Sequence, residues 1–445
     1  MLLFAAGCSL LGDAPSTSIN PQIQEIVSQI SAAHIADIQK KLESFGTRNI
    51  YSATDDPAHG IGAAREWIAS QFRSYTPKLQ VSFDKHRLAK QGRAFRNVEI
   101  WNVVAILPGT SQPERHVIVS GHYDSIHLVY RKGAHDEREL DPEATVAAPA
   151  PGVTDDGSGT AAVMELARVM SRHQFRKTIV FIAFAAEEYG LFGSGLYAED
   201  AAAKHDIIDG VFNNDIIGSD KTGNGETSNL YVNVYSEEPS DSGSRQLARY
   251  MKQMAERYQP GFQVNLVFRH DRFGRGGDHS PFNAAGYPAI RVTTPMENFS
   301  NQHTATDTFA NTAPAYTALV TKANAAAIAE LAFAPKAPEL RTPPPREGRA
   351  FASPLSRGTG YDAVMNWQDD KPEPDLLGYA VVMRSTTSPQ WEKQTFVGNV
   401  TSYTLPNVNI DEVVLGVKAI NKNGDESPVS AYVTPPYQQR KIGTY

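Results

Sequence analysis

Cysteine is nearly absent. Cys8 is the single one among 445 residues, so no disulfide can form within the chain and its stability must come from packing. Positive charge is scarce as well: 42 Lys and Arg against 49 Asp and Glu leave a net charge of -7, and no Lys/Arg run occurs. Nothing here suggests a surface for nucleic acid. No apolar stretch approaches the roughly 20 residues needed to span a bilayer. What remains is a chain 41 % hydrophobic and 20 % charged, the composition of a globular protein with sizeable cores. Its length implies two or three domains.

Residues 1–16, MLLFAAGCSLLGDAPS, run from an apolar segment through small residues to Cys8. That order reads as the tail of an export signal with a lipoprotein-type cleavage site, although no Lys or Arg precedes it. Cys8 is therefore the lipidation candidate. The expectation is an exported protein, either of a bacterial cell envelope (periplasm or outer membrane lipoprotein, with membrane attachment through Cys8) or secreted.

Past this segment, residues 20–75 read as helical. Ile23, Ile26, Val27 and Ile30 stand at helical spacing, and a second helix over 62–75 carries Ala63, Trp67, Ile68 and Phe72. Strands and helices then alternate. Strands are predicted over 96–107, 116–125, 177–188, 210–218 and 287–294. Helices are predicted over 158–172, near 194–203 and over 313–333. Strands apolar on both faces, separated by helices, predict an α/β domain over 20–333 whose mostly parallel mixed sheet is sandwiched by helices. FAPKAPELRTPPPREGR then marks a Pro-rich linker, 334–349. Beyond it the pattern predicts an all-β sandwich over 350–437, with strands at 363–367, 378–385 and 412–421. This part resembles a fibronectin type III module, with Trp367 placed like that fold's core tryptophan. Leu415 stands where its corner tyrosine would be. The module is a candidate binder of protein or glycan surfaces.

The acids and histidines of the larger domain fall at the carboxyl ends of its predicted strands, where ligands bind in open α/β sheets. GHYDS puts His122 after a buried strand, with Asp124 two residues on; an imidazole oriented by a carboxylate is a good metal ligand, yet alone the pair reads as a polar turn. GVTDDGSG puts Asp155 and Asp156 in a Gly-rich turn before a helix. One carboxylate there could bridge two metals, or the pair could be an N-cap with an extra acid. FAAEEYG ends a buried strand on Glu187 and Glu188, costly without cations; one as metal ligand and the other as general base suits hydrolysis. NNDIIG places Asp215 at an apolar strand end, and QHTATDTF places His303 in a loop before the last helix, with Asp307 nearby.

In order and strand placement, NVVAILPGT, VIVSGHYDS, GVTDDGSGTAA, FAAEEYGLFGS and GDHSPFNAAGYPAIRVT resemble the successive blocks of the co-catalytic zinc peptidases that include bacterial leucyl aminopeptidases, peptidase family M28. The resemblance spans about residues 60–333. It implies a zinc peptidase fold and two zinc ions per chain. His122 and Asp215 would hold one ion, Glu188 and His303 the other, and Asp155 both. Glu187 would be the general base, Asp124 would orient His122, and the Asp155-Asp156 peptide would be cis. In FGRGGDHSPF, Arg275, Asp278 and His279 become substrate-side candidates. Gln302 stands where several members have Tyr, and the insertion at 130–150 is either a cover for the site or a disordered surface loop. The implied activity is that of an aminopeptidase acting on peptide or protein substrates. The alternatives are a carboxypeptidase or dipeptidase, a one-metal glutaminyl cyclase, and a non-catalytic binding protein of the cell envelope.

Overall fold

The computed structural model describes residues 19–133, 137–342, 355–357, 362–368 and 373–433. The export segment up to Ser18, with Cys8, and residues 343–349 of the Pro-rich linker lie outside them. The chain divides into two compact units, Pro21–Phe333 and the residues from Ala334 on together with those before Pro21.

The larger unit opens with helices α1 (Pro21–Ser28), α2 (Ala32–Glu43) and α3 (Gly60–Tyr75), then strands β1 (Gln80–Leu88), β2 (Val98–Leu107) and β3 (Gln112–His122). A small hairpin, β4 (Tyr130–Lys132) and β5 (Arg138–Leu140), leads to α4 (Pro142–Ala147) and α5 (Gly157–Met170). Then come β6 (Lys177–Phe184), α6 (Phe192–Lys204), β7 (Ile207–Asn214), β8 (Tyr231–Ser236), α7 (Gly243–Tyr258), β9 (Gln263–Val267), α8 (His279–Ala284), β10 (Ala289–Thr293) and α9 (Pro314–Phe333).

Eight strands form one sheet in the order β1-β2-β6-β3-β7-β10-β8-β9. Its centre is parallel, β6 beside β3, β3 beside β7 and β7 beside β10. Antiparallel pairs join β1 to β2, β2 to β6 and β10 to β8. The parallel centre is the part that the apolar runs predict, because a strand buried on both faces needs an apolar residue at every position. Every residue of β6 is buried. Ile179, Phe181 and Ala183 join the larger core under α1, α2, α3, α5, α7 and α9. Val180, Ile182 and Phe184 join Ala198 and Ala201 of α6 and Phe282 of α8 on the opposite face. Each fully buried Ile or Phe there stabilises the fold by about 1.5–3 kcal/mol. The sequence reading passed over β1, β8 and β9. They carry polar residues at alternate positions and are buried on one face at most, so their apolar signal is weak.

The insertion at 130–150 is folded where described: a hairpin followed by α4, whose N-cap Asp141 accepts from Ala144 N. At its root Leu128 N donates to His303 O over 3.1 Å, so the segment braces the loop that carries His303.

In the smaller unit, β11 (Glu339–Leu340), β12 (Leu355–Arg357) and β16 (Ser402–Leu405) pair with β13 (Ala363–Gln368). A second sheet runs β15 (Lys393–Gly398), β14 (Leu376–Ser385), β17 (Val413–Asn421), β18 (Ser430–Tyr432). The two enclose Met365 and Trp367 from one side and Tyr379, Val381, Leu415 and Val417 from the other, an all-β sandwich as expected. Trp367 meets Tyr379 edge-on at 5.5 Å between ring centroids. Leu415 is fully buried there.

Candidate metal centre

Three adjacent parallel strands end side by side. β3 finishes on His122. After β6 the chain turns through Ala186 and delivers Glu187 and Glu188. After β7 comes Asp215, then Ile216. Ala186, Ile216 and His303 all have positive φ, 63°, 58° and 55°. Non-glycine residues rarely adopt that backbone, least of all a β-branched one, and such strain gathers at functional sites. The turn before α5 contributes Asp155, joined to Asp156 by a cis peptide. Asp156 is the N-cap of α5, accepting from Gly159 N over 2.8 Å, while Asp155 faces the strand ends. Gly159 is obligatory, since a Cβ there would lie 2.2 Å from Asn214 O.

The five expected ligands come together as two overlapping triads, His122, Asp155 and Asp215, and Asp155, Glu188 and His303, the donor atoms of each lying within 4.8 Å of one another. Asp155 turns one oxygen to each side: Oδ1 is 3.2 Å from His122 Nε2, and Oδ2 is 3.1 Å from His303 Nε2. Glu188 Oε2 is 3.1 Å from His303 Nε2 and Asp215 Oδ1 is 3.8 Å from His122 Nε2. Glu187 Oε2 stands 4.0 Å from His122 Nε2. His122 Nε2 and Glu188 Oε1 are buried without hydrogen-bond partners among the described residues. Buried polar atoms normally have partners, and imidazole nitrogen with carboxylate oxygen is a donor set that fits zinc.

The surrounding residues fix these side chains. Asp124 is fully buried. Its two oxygens accept from Glu187 N and Glu188 N, 3.2 and 3.3 Å away, and His122 Nδ1 lies 3.1 Å from the Asp124 backbone carbonyl and 3.5 Å from Asp124 Oδ1. It positions both the imidazole and the glutamate turn, and it does not line the cavity. Asp307 accepts from Thr154 N and Asp155 N, both at 2.9 Å. Gln302 Nε2 donates to Asp155 Oδ2 at 3.0 Å. Arg291, fully buried in β10, reaches Asp215 Oδ2 at 3.1 Å and Asp271 Oδ2 at 3.2 Å. Sequence reasoning missed Arg291, although an arginine within the apolar run YPAIRVTT was the available signal. It also missed Arg48, whose buried guanidinium donates to Tyr123 O, Pro151 O and Gly152 O and ties the His122 and Asp155 loops together.

Electrostatics show how much negative charge is concentrated here. Burial pushes the Glu187 carboxyl well above its usual range, with Asp215 and Glu188 adding to the effect. Glu188 is raised for the same first reason. Burial opposes charging of the His303 imidazole, yet Glu188 and Asp155 raise it to about 11. Burial likewise works against His122, and Glu187 with the neighbouring aspartates raises it well above normal. The centre thus draws in protons where another cation could stand.

A cavity of 230 Å³ opens over the triads, lined by Asp155, Glu187, Glu188, Asp215 and His303 and by the guanidiniums of Arg93, Arg272 and Arg275. Of the three substrate-side candidates only Arg275 lines it. Asp278 is buried behind the wall, accepting from Ser194 Oγ at 2.5 Å, and burial raises its carboxyl to about 7. His279 is buried too, its Nε2 2.9 Å from His270 O and its ring stacked on His270. Both open α8, and that short helix turns them away from the cavity.

Residues 102–328 match the model of peptidase family M28. The chain is 34 % identical over 453 residues to a "probable zinc metalloprotease" of Leptosphaeria maculans, covering 95 % of this chain and 98 % of the relative. It is 35 % identical over 459 residues to one of Pyricularia oryzae, covering 95 % and 86 %. Among solved structures, the fold is similar to the LapA aminopeptidase of Legionella pneumophila, with TM-score 0.53, 19 % identity and coverage of 73 % and 78 %. It is also similar to a glutaminyl cyclase of Fimbriiglobus ruber, with TM-score 0.52, 20 % identity and coverage of 67 % and 95 %. With two clustered donor triads, a family match over residues 102–328 and relatives aligned over 95 % of its length, the chain belongs to peptidase family M28 and is a zinc metallopeptidase.

Proposed function

We propose that the protein is a zinc-dependent exopeptidase, an aminopeptidase that removes N-terminal residues from peptides with two zinc ions. His122 and Asp215 would hold one ion, Glu188 and His303 the other, and Asp155 would serve both. The observation that carries this reading is the sharing of Asp155 between two triads, one oxygen toward each imidazole. Bound zinc supplies Lewis acidity for the scissile carbonyl and a nucleophile from water at neutral pH. Glu187, outside both triads, takes the proton of the attacking water and passes it to the leaving amine. Asp124 holds the Glu187-Glu188 turn and the His122 ring in register, so proton transfer and ligation stay coupled in space.

The test is zinc content beside turnover. Glu187→Gln should keep two zincs and lose at least about 10²-fold in rate, the lower end of general acid–base catalysis. Glu188→Gln should lose zinc, and stability with it. Reversed behaviour exchanges the two roles; full activity in both variants overturns the site. The cyclase-like neighbour supports a second reading, a one-metal glutaminyl cyclase. One zinc per chain, with turnover of N-terminal glutamine substrates alone, would favour it. We also propose export, on the N-terminal run alone; an unmodified intact segment 1–8 in the native protein would overturn lipidation at Cys8. That the smaller unit is a fibronectin type III-like binding module is likewise a proposal, supported by its two sheets around Trp367.

A further inference from the structure

The cavity wall sets three guanidiniums, Arg93, Arg272 and Arg275, against four carboxylates, Asp155, Glu187, Glu188 and Asp215. Three of those carboxylates belong to the triads. On the two-zinc reading above, on which this inference rests, Glu187 is the one left uncommitted in the wall. Two divalent ions would then leave the cavity positive, a field that draws anionic substrates.

Arg275 is the arginine built to use that field. Its NH1 donates to Glu297 Oε1 at 3.0 Å and lies 3.5 Å from Gln302 Oε1. Glu297 is fixed in turn by Arg272 NH1 at 3.1 Å. With NH1 pinned, the Nε–NH2 edge has no partner among the described residues, and the side chain is 30 % exposed. That edge is a planar fork that matches a carboxylate with two parallel hydrogen bonds. Its position is also defined. Gln302 reaches both sides, its Oε1 3.5 Å from Arg275 NH1 and its Nε2 3.0 Å from Asp155 Oδ2. A residue of extended chain spans about 3.3–3.6 Å, so a carboxylate on the residue being released, or on the next, reaches the fork. Beyond Arg272 and Arg275, which line both spaces, a second cavity of 720 Å³ opens between Phe273 and Phe299, 89 % and 67 % exposed. It leaves room for the rest of the substrate.

We propose that Arg275 anchors a carboxylate carried by the substrate within one residue of the scissile bond. The carboxylate has two sources: an acidic side chain on the N-terminal residue, or the free C-terminus of a dipeptide. Two matched pairs separate them, glutamyl- against glutaminyl-anilide and leucylglycine against its C-terminal amide. The zinc-loaded full chain should prefer the acid member of one pair by about tenfold or more, mainly through KM, as a charge-assisted bidentate contact would. The pair that shows the preference identifies the source. Arg275→Gln should bring that ratio to about one while zinc content stays at two. Arg275→Lys, which keeps the charge without the fork, should restore part of it. A preference that survives Arg275→Gln, or a wild-type protein that cleaves both members of both pairs equally, overturns the anchor and leaves the peptidase reading standing. A protein with two zincs that cleaves none of the four substrates overturns the peptidase reading, and the anchor with it.

Discussion

β3, β6 and β7 lie side by side, and each carries charge at both ends. At their amino ends stand Arg115, Lys177 and Asp209. Lys177 Nζ is 2.8 Å from Asp209 Oδ2, Arg115 Nε donates to the same oxygen at 3.1 Å, and Arg115 NH2 pairs with Oδ1. The group is nearly buried and every charge has an opposite neighbour. At their carboxyl ends stand His122, the Glu187-Glu188 pair and Asp215. There the acids crowd one another, and His122 Nε2 and Glu188 Oε1 have no hydrogen-bond partner among the described residues. The same strands thus carry a closed charge cluster at one end and an open one at the other. Buried charge is tolerated only when paired or metal-bound, so the open end is the end that takes a ligand.

Four experiments sharpen or break that contrast. Asp155→Asn should have the largest effect: losing the shared carboxylate empties both triads of one donor, so on the two-zinc proposal metal analysis should find zinc falling from two toward none, and peptide turnover with it. A variant that keeps both zincs would remove Asp155 from the shared position. At the closed end, Asp209→Asn should cost about 3–5 kcal/mol in denaturant unfolding, because the buried Lys177 and the half-buried Arg115 lose their counter-charge. Zinc content of the folded variant should not change. This cost depends on pH with a defined sign. Burial raises the Asp209 carboxyl, but Lys177 and Arg115 outweigh it and hold it below the usual range; burial in turn lowers Lys177. A depressed carboxyl contributes fully above its unfolded value, near 4, and loses its contribution as pH falls through the folded value. Wild type and Asp209→Asn should therefore converge in stability in acid, below about pH 4. If the gap between them widens in acid, the pairing is wrong.

Asp124→Asn should be milder. It keeps the fold but puts an amide where two backbone N–H groups donate, and should weaken zinc binding by about 10–100-fold, as loss of an orienting partner does. Competition with a chelator of known affinity measures it. The smallest effect is expected from truncation. A chain ending near Pro335 keeps all five ligands and should still hydrolyse small aminoacyl substrates. Loss of that activity with zinc retained would give the smaller unit a part in the site.

Much of this was legible in the chain. A strand buried on both faces must be apolar throughout, so β6 and β3 announce themselves, and an acid or histidine at the end of such a run stands out against it. That is why His122, Asp155, Glu188, Asp215 and His303 could be named together, and why Trp367 could be placed in a second core. Half-exposed strands such as β1 and β8 dilute their signal with polar residues and were not seen. Tertiary structure alone decided the rest. Whether Asp278 or Arg275 faces the cavity depends on how the loop before α8 closes, and the two lie three residues apart. Arg291 is an ordinary arginine until the pairing of β10 with β7 sets it against Asp215. Arg48 and Asp307 act through backbone groups of loops far away in sequence. Local sequence encodes periodicity and burial; the partner of a buried charge is fixed only when distant segments pack.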